Sequence, residues 1–197
     1  MFDQDGLDRE FFAALVRADS EIAAVVGGAG CGRCGGRLHR GDYPRKPRGA
    51  LIAGAGEAFV VRLSFCCSRE GCRRRTTPPS LRFLGRRVYL EAVVVVASVI
   101  AVMRGAGRGT AVQVGVPPRT LGRWLGWWQG AFLKTVEFVT LAAALGLGTR
   151  AAREAMPAPL WCASPVPAGR ETVSWLARRI ASLTTTSFRS PITGGVP

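Results

Sequence analysis

Apolar residues recur along this chain with two different periods, and the changes of period mark its organisation. Over residues 8–25, Phe12, Leu15, Val16, Ile22 and Val25 fall on one side of a 3.6-residue repeat, while Arg9, Arg17 and Glu21 fall elsewhere. This predicts an amphipathic helix with Asp8 as its N-cap, broken by Gly27-Gly28-Ala29-Gly30. Residues 37–43 and 58–66 read instead as strands. In the second, Phe59, Val61, Leu63 and Phe65 alternate with Val60, Arg62 and Ser64 at period two. A loop beginning Pro44-Arg45-Lys46-Pro47 separates them, and pairing them as a hairpin returns its two open ends to one place.

Downstream the pattern turns helical. Residues 86–104 form the most apolar stretch, interrupted by Glu91. Only 92–103 are free of charge, short of the roughly 20 apolar residues that cross a bilayer. A buried core helix is the expectation, with a strand as the alternative because the run is rich in β-branched valine. Gly105 to Gly109 ends it. Residues 110–128 then predict a short helix, a turn at Gly115 and a second helix opening at Pro118, where a missing N–H costs nothing. In that second helix Leu121, Trp124, Leu125 and Trp128 make one apolar stripe, Arg119, Thr120 and Arg123 face outward, and Trp127 falls off the stripe. The three tryptophans also suggest a stacking platform for single strands, although core packing fits their helical spacing better. Residues 131–147 predict another apolar helix and 156–169 a proline-rich linker. Residues 170–183 predict a last amphipathic helix carrying Val173, Leu176, Ile180 and Leu183, and 184–197 a disordered tail.

Five segments follow from this reading: an acidic helix over 1–30, a small ribbon over 31–83, a helix, turn and helix over 84–130, an apolar helix over 131–155, and a linker, helix and tail over 156–197. The expected fold class is α+β. Hydrophobic residues make up 48% of the chain, enough for a real core.

Charge singles out the middle of the chain. The formal net charge is +14, with −4 over residues 1–30, +14 over 31–128 and +4 over 129–197. Such a basic stretch is the footprint of a polyanionic partner. The start Met1-Phe2-Asp3-Gln4-Asp5 is acidic where a signal peptide is cationic, so a cytoplasmic location with reduced thiols is expected.

The cysteines change the picture most. Five of the six fall in two clusters, Cys31-Gly-Arg-Cys34 and Cys66-Cys67-Ser-Arg-Glu-Gly-Cys72. Two pairs of thiolates, each on a tight turn, can converge on one tetrahedral Zn²⁺. Cys31, Cys34, Cys67 and Cys72 are the expected ligands. Cys66 and the single histidine, His39, remain as substitutes for Cys67, and Cys162 stands apart. Four protein ligands leave no coordination position for a reactive water, so the metal's role is structural, worth about 10–16 kcal/mol of folding energy in small zinc modules. Phosphate-loop and nucleophile-triad motifs are absent: Gly27-Gly28-Ala29-Gly30 lacks the Gly-Lys-Ser/Thr ending, and His39 lies among arginines. Thiol redox chemistry at Cys31 and Cys34 lacks a thioredoxin-like βαβ context.

The run Cys72-Arg-Arg-Arg-Thr76-Thr77-Pro-Pro-Ser-Leu-Arg-Phe83 through Tyr89-Leu90 resembles the zinc-ribbon region of insertion-sequence transposases. Val114-Gly115-Val116-Pro117-Pro118-Arg119-Thr120-Leu121-Gly122-Arg123-Trp124 is similar to their helix-turn-helix. The resemblance spans about residues 31–128. It implies a β-hairpin ribbon with two cysteine knuckles, a helix-turn-helix and a duplex DNA partner. The chain departs from that family in its longer spacer, in the C-x4-C second knuckle, and in the missing acidic triad. After Trp128 its carboxylate side chains are Glu137, Glu154 and Glu171 alone.

The expected function is therefore DNA binding without catalysis. Arg119, Thr120 and Arg123 would read the major groove, and Arg73, Arg74, Arg75, Arg86 and Arg87 would hold phosphates. Homo-oligomers are compatible with the reading. Two alternatives compete with it. One is a zinc-stabilised interaction module working through helices 88–103 and 131–147. The other is a small membrane protein with a basic cytoplasmic ribbon.

Overall fold

The computed structural model describes residues 9–46, 57–83, 89, 91–167 and 169–184. The Asp8 cap, Arg86, Arg87 and the tail beyond Thr184 lie outside the described residues. The chain is α+β, mostly helical, with small antiparallel sheets.

Helix α1 spans Arg9–Ala29 and buries Phe11, Phe12, Leu15, Ala18, Asp19 and Ala23. It runs through the two glycines expected to stop it. Tertiary packing overrides their poor helix propensity, because the last turns lie on the ribbon: Ala23 and Val26 pack with Leu38, Leu63, Phe65 and the cysteines. Val25, placed by periodicity on the buried side, is instead 75% exposed.

The ribbon is a hairpin with one added strand. Strand β1 (Leu38–Arg40) and β2 (Tyr43–Pro44) form its first arm, and β3 (Val61–Arg62) and β4 (Phe65–Cys67) its second. Leu38 pairs with Cys67, Arg40 with Phe65, and Tyr43 with Arg62 in one antiparallel register. At the break between the two ladders Asp42 Oδ1 accepts from the Ser64 N–H at 2.9 Å. Strand β5 (Arg75–Thr76), which carries no hydropathy signal, pairs with β4 and completes the order β1-β4-β5. Two sequence expectations fail in the second arm. Residues Glu57–Val60 form a 3-10 turn, and Arg62 and Ser64 are buried rather than alternating outward. Arg62 is held by a carbonyl, donating to Pro78 O at 2.7 Å.

Helix α2 (Glu91–Arg104) is the centre of the larger core. Ala92 to Val99 are all buried, so the valine run is a helix covered on every side. Around it pack α3 (Arg108–Val114), α4 (Pro118–Gly126), α7 (Ala158–Cys162) and α8 (Arg170–Ile180). The C-terminal end of α2 is less enclosed, with Met103 71% exposed. Among the described residues no helix is long and apolar enough to cross a membrane.

The turn at Gly115 and the start of α4 at Pro118 match the sequence pattern. After Gly126 the helix widens to a π turn over Trp127–Ala131 and tightens to a 3-10 turn over Phe132–Lys134. The 3.6-residue count therefore stops at 126, and Trp127 turns inward to 7% exposure. It meets Trp128 edge-on with ring centroids 4.7 Å apart, and Phe132 at 5.4 Å. With Trp124, Trp127 and Trp128 all buried, these rings are core and no stacking platform for bases. A fresh helix, α5 (Val136–Leu145), begins where the Thr135 side chain caps the Phe138 N–H. The expected linker also folds. Between α6 (Arg150–Glu154) and α8, Met156 and Leu160 are fully buried. Val173, Leu176, Ile180 and Leu183 close the core as their spacing predicts. Side chains from all five sequence segments, Phe59, Leu81 and Phe83 of the ribbon segment included, meet in this core.

Candidate metal centre

The hairpin brings its two cysteine turns together. The Sγ atoms of Cys31, Cys34, Cys67 and Cys72 all lie within 4.8 Å of one another. Cys31 and Cys72 are 3.8 Å apart, and Cys34 and Cys67 3.5 Å apart. A tetrahedron of sulfurs about 2.3 Å from a metal has edges of about 3.8 Å, whereas a disulfide needs about 2.05 Å. All six cysteines are free thiols. The four clustered ones are positioned to hold a metal ion.

Each ligand is placed by a local device. Cys31 follows α1 after one left-handed residue, Gly30 at φ 77°. The N–H groups of Cys34 and Gly35 both donate to Cys31 O, at 3.2 and 2.8 Å, and close the first knuckle. Gly35 has φ 65°, a conformation that glycine adopts without steric cost. Gly36 lies so close to the centre that a Cβ there would stand 3.0 Å from Cys67 Sγ. Cys67 ends β4 and Cys72 sits beyond a turn in which the Cys72 and Arg73 N–H groups donate to Arg69 O, each at 3.0 Å. Strand alternation decides between the adjacent cysteines. Cys67 points to the cluster and is fully buried, while Cys66 points away, half-buried, with its sulfur 3.8 Å from Arg73 O. His39, opposite Cys66 in the ladder, is exposed and outside the cluster. Neither substitutes for Cys67.

The electrostatics are those of thiols waiting for a cation. Cys31 is lowered to about 6, first by the backbone N–H groups of Arg33 and Cys34, then against burial by the neighbouring thiols of Cys72 and Cys34. Cys67 is pushed up to about 12. The Arg69 N–H acts to lower it, but burial and the thiols of Cys34, Cys31 and Cys72 together raise it more. Four sulfurs this close cannot all ionise unless a positive ion shares the space. A soft divalent ion meets that need and fits the sulfur spacing.

The arginines divide into three groups. Arg73 and Arg74 are exposed, and so are Arg33, Arg37 and Arg69 on the same two knuckles, which the sequence reading passed over. Among the described residues none of these five is paired with a carboxylate. Their signal was present in the sequence, since each lies within three residues of a cluster cysteine. Arg75, also exposed, is partly occupied: its Nη1 donates to Gly41 O at 3.0 Å and Ser64 Oγ at 2.9 Å, and its guanidinium lies over the Tyr43 ring. On α4, Arg119 and Arg123 are exposed as expected, but Thr120 is buried. It precedes Trp124 by one helical turn and shares its inward face, where its Oγ1 accepts from Arg123 Nη2 at 3.2 Å. Thr120 therefore cannot reach a groove.

No family model matches the chain, and neither a curated protein nor a solved structure matches it.

Proposed function

We propose that this chain is a zinc-ordered DNA-binding protein of transposase-related type, acting without catalysis of its own. One observation carries the reading. Five exposed arginines, Arg33, Arg37, Arg69, Arg73 and Arg74, are held around a four-thiol centre on two knuckles that carry one carboxylate, Glu70, and among the described residues none of the five is ion-paired. A fixed cationic surface of this kind suits the regular phosphates of a duplex. Zinc is the metal of choice, because four thiolates in a closed tetrahedron are its usual structural site and a reducing cytoplasm keeps them as ligands.

In this reading the ribbon sets register on the backbone. The helices α3 and α4 serve as a helix-turn-helix, with Arg119 and Arg123 as the base-reading residues and Thr120 as an internal support. Helix α1 and the described residues from Phe132 to Leu183 supply core against which α2 and α4 are fixed.

The test is a titration of mixed-sequence duplex at several salt concentrations, with the zinc-loaded and the chelated protein. Five phosphate contacts give a log–log salt slope of about −4.5. Affinity should fall on chelation. Binding that ignores salt, or that survives removal of the metal unchanged, rules the reading out.

A further inference from the structure

The two knuckles share one backbone turn, and one of the positions at which they differ is revealing. In the first, the Cys34 and Gly35 N–H groups donate to Cys31 O; in the second, the Cys72 and Arg73 N–H groups donate to Arg69 O. The residue after each closing cysteine is left-handed, Gly35 at φ 65° and Arg73 at φ 43°. Superposing the turns explains the irregular second spacing. Arg69 stands where Cys31 stands, and the ligand Cys67 is recruited from two residues earlier.

Arg73 is the one non-glycine residue with positive φ among those described. A side chain with a Cβ is disfavoured there by contact with the neighbouring backbone. Glycine would serve the turn, as Gly35 does in the first knuckle. Arg73 is also exposed, has no side-chain partner among the described residues, and is followed by a second cation, Arg74. On the other side, the Ser68 N–H donating to Arg37 O at 2.9 Å ties the backbone that carries Arg37 to the same turn. Backbone conformation and charge repulsion thus both act against an arginine at this place in the free protein. Strained residues of this kind persist at sites of function.

We propose that Arg73 is the phosphate anchor of the protein: the residue through which the second knuckle grips the backbone of duplex DNA, kept at a cost to the stability of the free chain. The proposal rests on the DNA-binding reading and sharpens it, assigning one residue a role that the other knuckle arginines share only as a diffuse field. A left-handed backbone at position 73 turns the chain sharply just after the metal ligand Cys72. The backbone at position 73 is thereby fixed beside the cysteine cluster, so that only the side chain itself is ordered on contact.

The experiment compares the full-length zinc-loaded protein with Arg73→Gly and Arg73→Ala. Both variants should bind a mixed-sequence duplex about tenfold more weakly, with the salt slope reduced by about 0.9 for the one lost contact. Thermal melting separates the backbone from the side chain. Arg73→Gly should melt no lower than the parent, and above Arg73→Ala by about 2–4 °C, because only glycine relieves the left-handed position. Parent-like affinity and slope in both variants would overturn the proposal while leaving DNA binding intact. A parent protein that does not bind duplex overturns the reading beneath it, and so does one that binds phosphatidylserine vesicles in place of duplex.

Discussion

Asp19 and Arg82, sixty-three residues apart in sequence, form an ion pair at 2.7 Å with both side chains only 1% exposed. Asp19 also accepts from Ser80 Oγ and the Leu81 N–H, each at 2.6 Å. Arg82 in turn donates to the carbonyls of Ala58 and Phe59, at 3.0 and 2.8 Å. One carboxylate thus fastens α1 to the segment leaving the ribbon, and one guanidinium fastens that segment to the turn that enters β3. Removing one member leaves the other charged and buried, which costs about 3–5 kcal/mol. Asp19→Ala should lower the urea midpoint accordingly. Because the loss comes mainly from the orphaned charge, the double variant Asp19→Ala with Arg82→Met should recover part of it. A double variant no more stable than Asp19→Ala would contradict this account.

The metal centre makes a sharp distinction among the cysteines. Cys34→Ser and Cys72→Ser each remove a sulfur from the cluster, whereas Cys66→Ser and Cys162→Ser do not. Metal analysis of the purified protein should find a single zinc ion per chain in the parent and in the last two variants, and markedly less in the first two. Chelation should unfold the ribbon, whose own core comprises little beyond Ala23, Leu38, Leu63, Phe65 and the cysteines. Amide exchange over β1 and β4 reads this directly. Unchanged protection after chelation would show that the ribbon stands without metal.

Much of this centre was legible in the sequence. Cysteine spacing and a hairpin between the two clusters place the two turns side by side, because a hairpin must return its ends to one point. The period-two pattern itself covers only part of residues 58–66. The identity of the ligand at Cys67 rather than Cys66 was legible only as a preference; strand alternation fixes it once β4 is known. The helical half was read less well where geometry departs from 3.6 residues per turn. Nothing local in Trp127-Trp128-Gln129-Gly130 announces a π turn, so Trp127 was assigned the wrong face. Pro157 and Pro159 suggested a linker, yet proline is compatible with the first turn of a helix and Met156 and Leu160 flank it as core. The Asp19–Arg82 pair was invisible, since a contact between distant positions leaves no periodic trace. The buried Arg62, held by the Pro78 carbonyl, was hidden for the same reason.

Glu91 has its own consequence for pH dependence. It is fully buried at the start of α2, and neither carboxylate oxygen finds a hydrogen-bond partner among the described residues. Burial, and to a lesser degree the Asp19 carboxylate, raise its pKa well above 4.5, against the opposing pull of Arg62. The folded chain therefore holds a proton that the unfolded chain has released above its ordinary value of about 4.3. Stability from this group is fully present below that value and is lost as pH rises through the folded-state pKa. Glu91→Gln imitates the protonated form at every pH. Urea midpoints of parent and variant should coincide near pH 4.5 and diverge as pH rises, with Glu91→Gln the more stable at neutral pH. A constant difference across the range would mean that Glu91 is not the titrating group.

The two faces of α4 give the last prediction, which separates register from reading. Arg123 is exposed but tethered at 3.2 Å to Thr120 Oγ1, and Thr120 is buried against the core. If α4 lies in a major groove, Arg123 touches base edges and its removal reduces discrimination between sequences by about 1–3 kcal/mol at one position. If Arg74, on the second knuckle, contributes only to the diffuse field that phosphates meet, Arg74→Ala should weaken all sequences alike and reduce the salt slope by less than the one contact assigned to Arg73. Thr120→Val keeps the buried volume while removing the hydroxyl that holds Arg123. It should therefore relax sequence choice in the same direction as Arg123→Ala, although Thr120 itself touches no DNA. Selection from a randomised duplex pool, scored for each protein against the parent, reads all three effects together. Equal specificity in the parent, Arg123→Ala and Thr120→Val would assign binding to the ribbon alone and leave α4 as an element of the core.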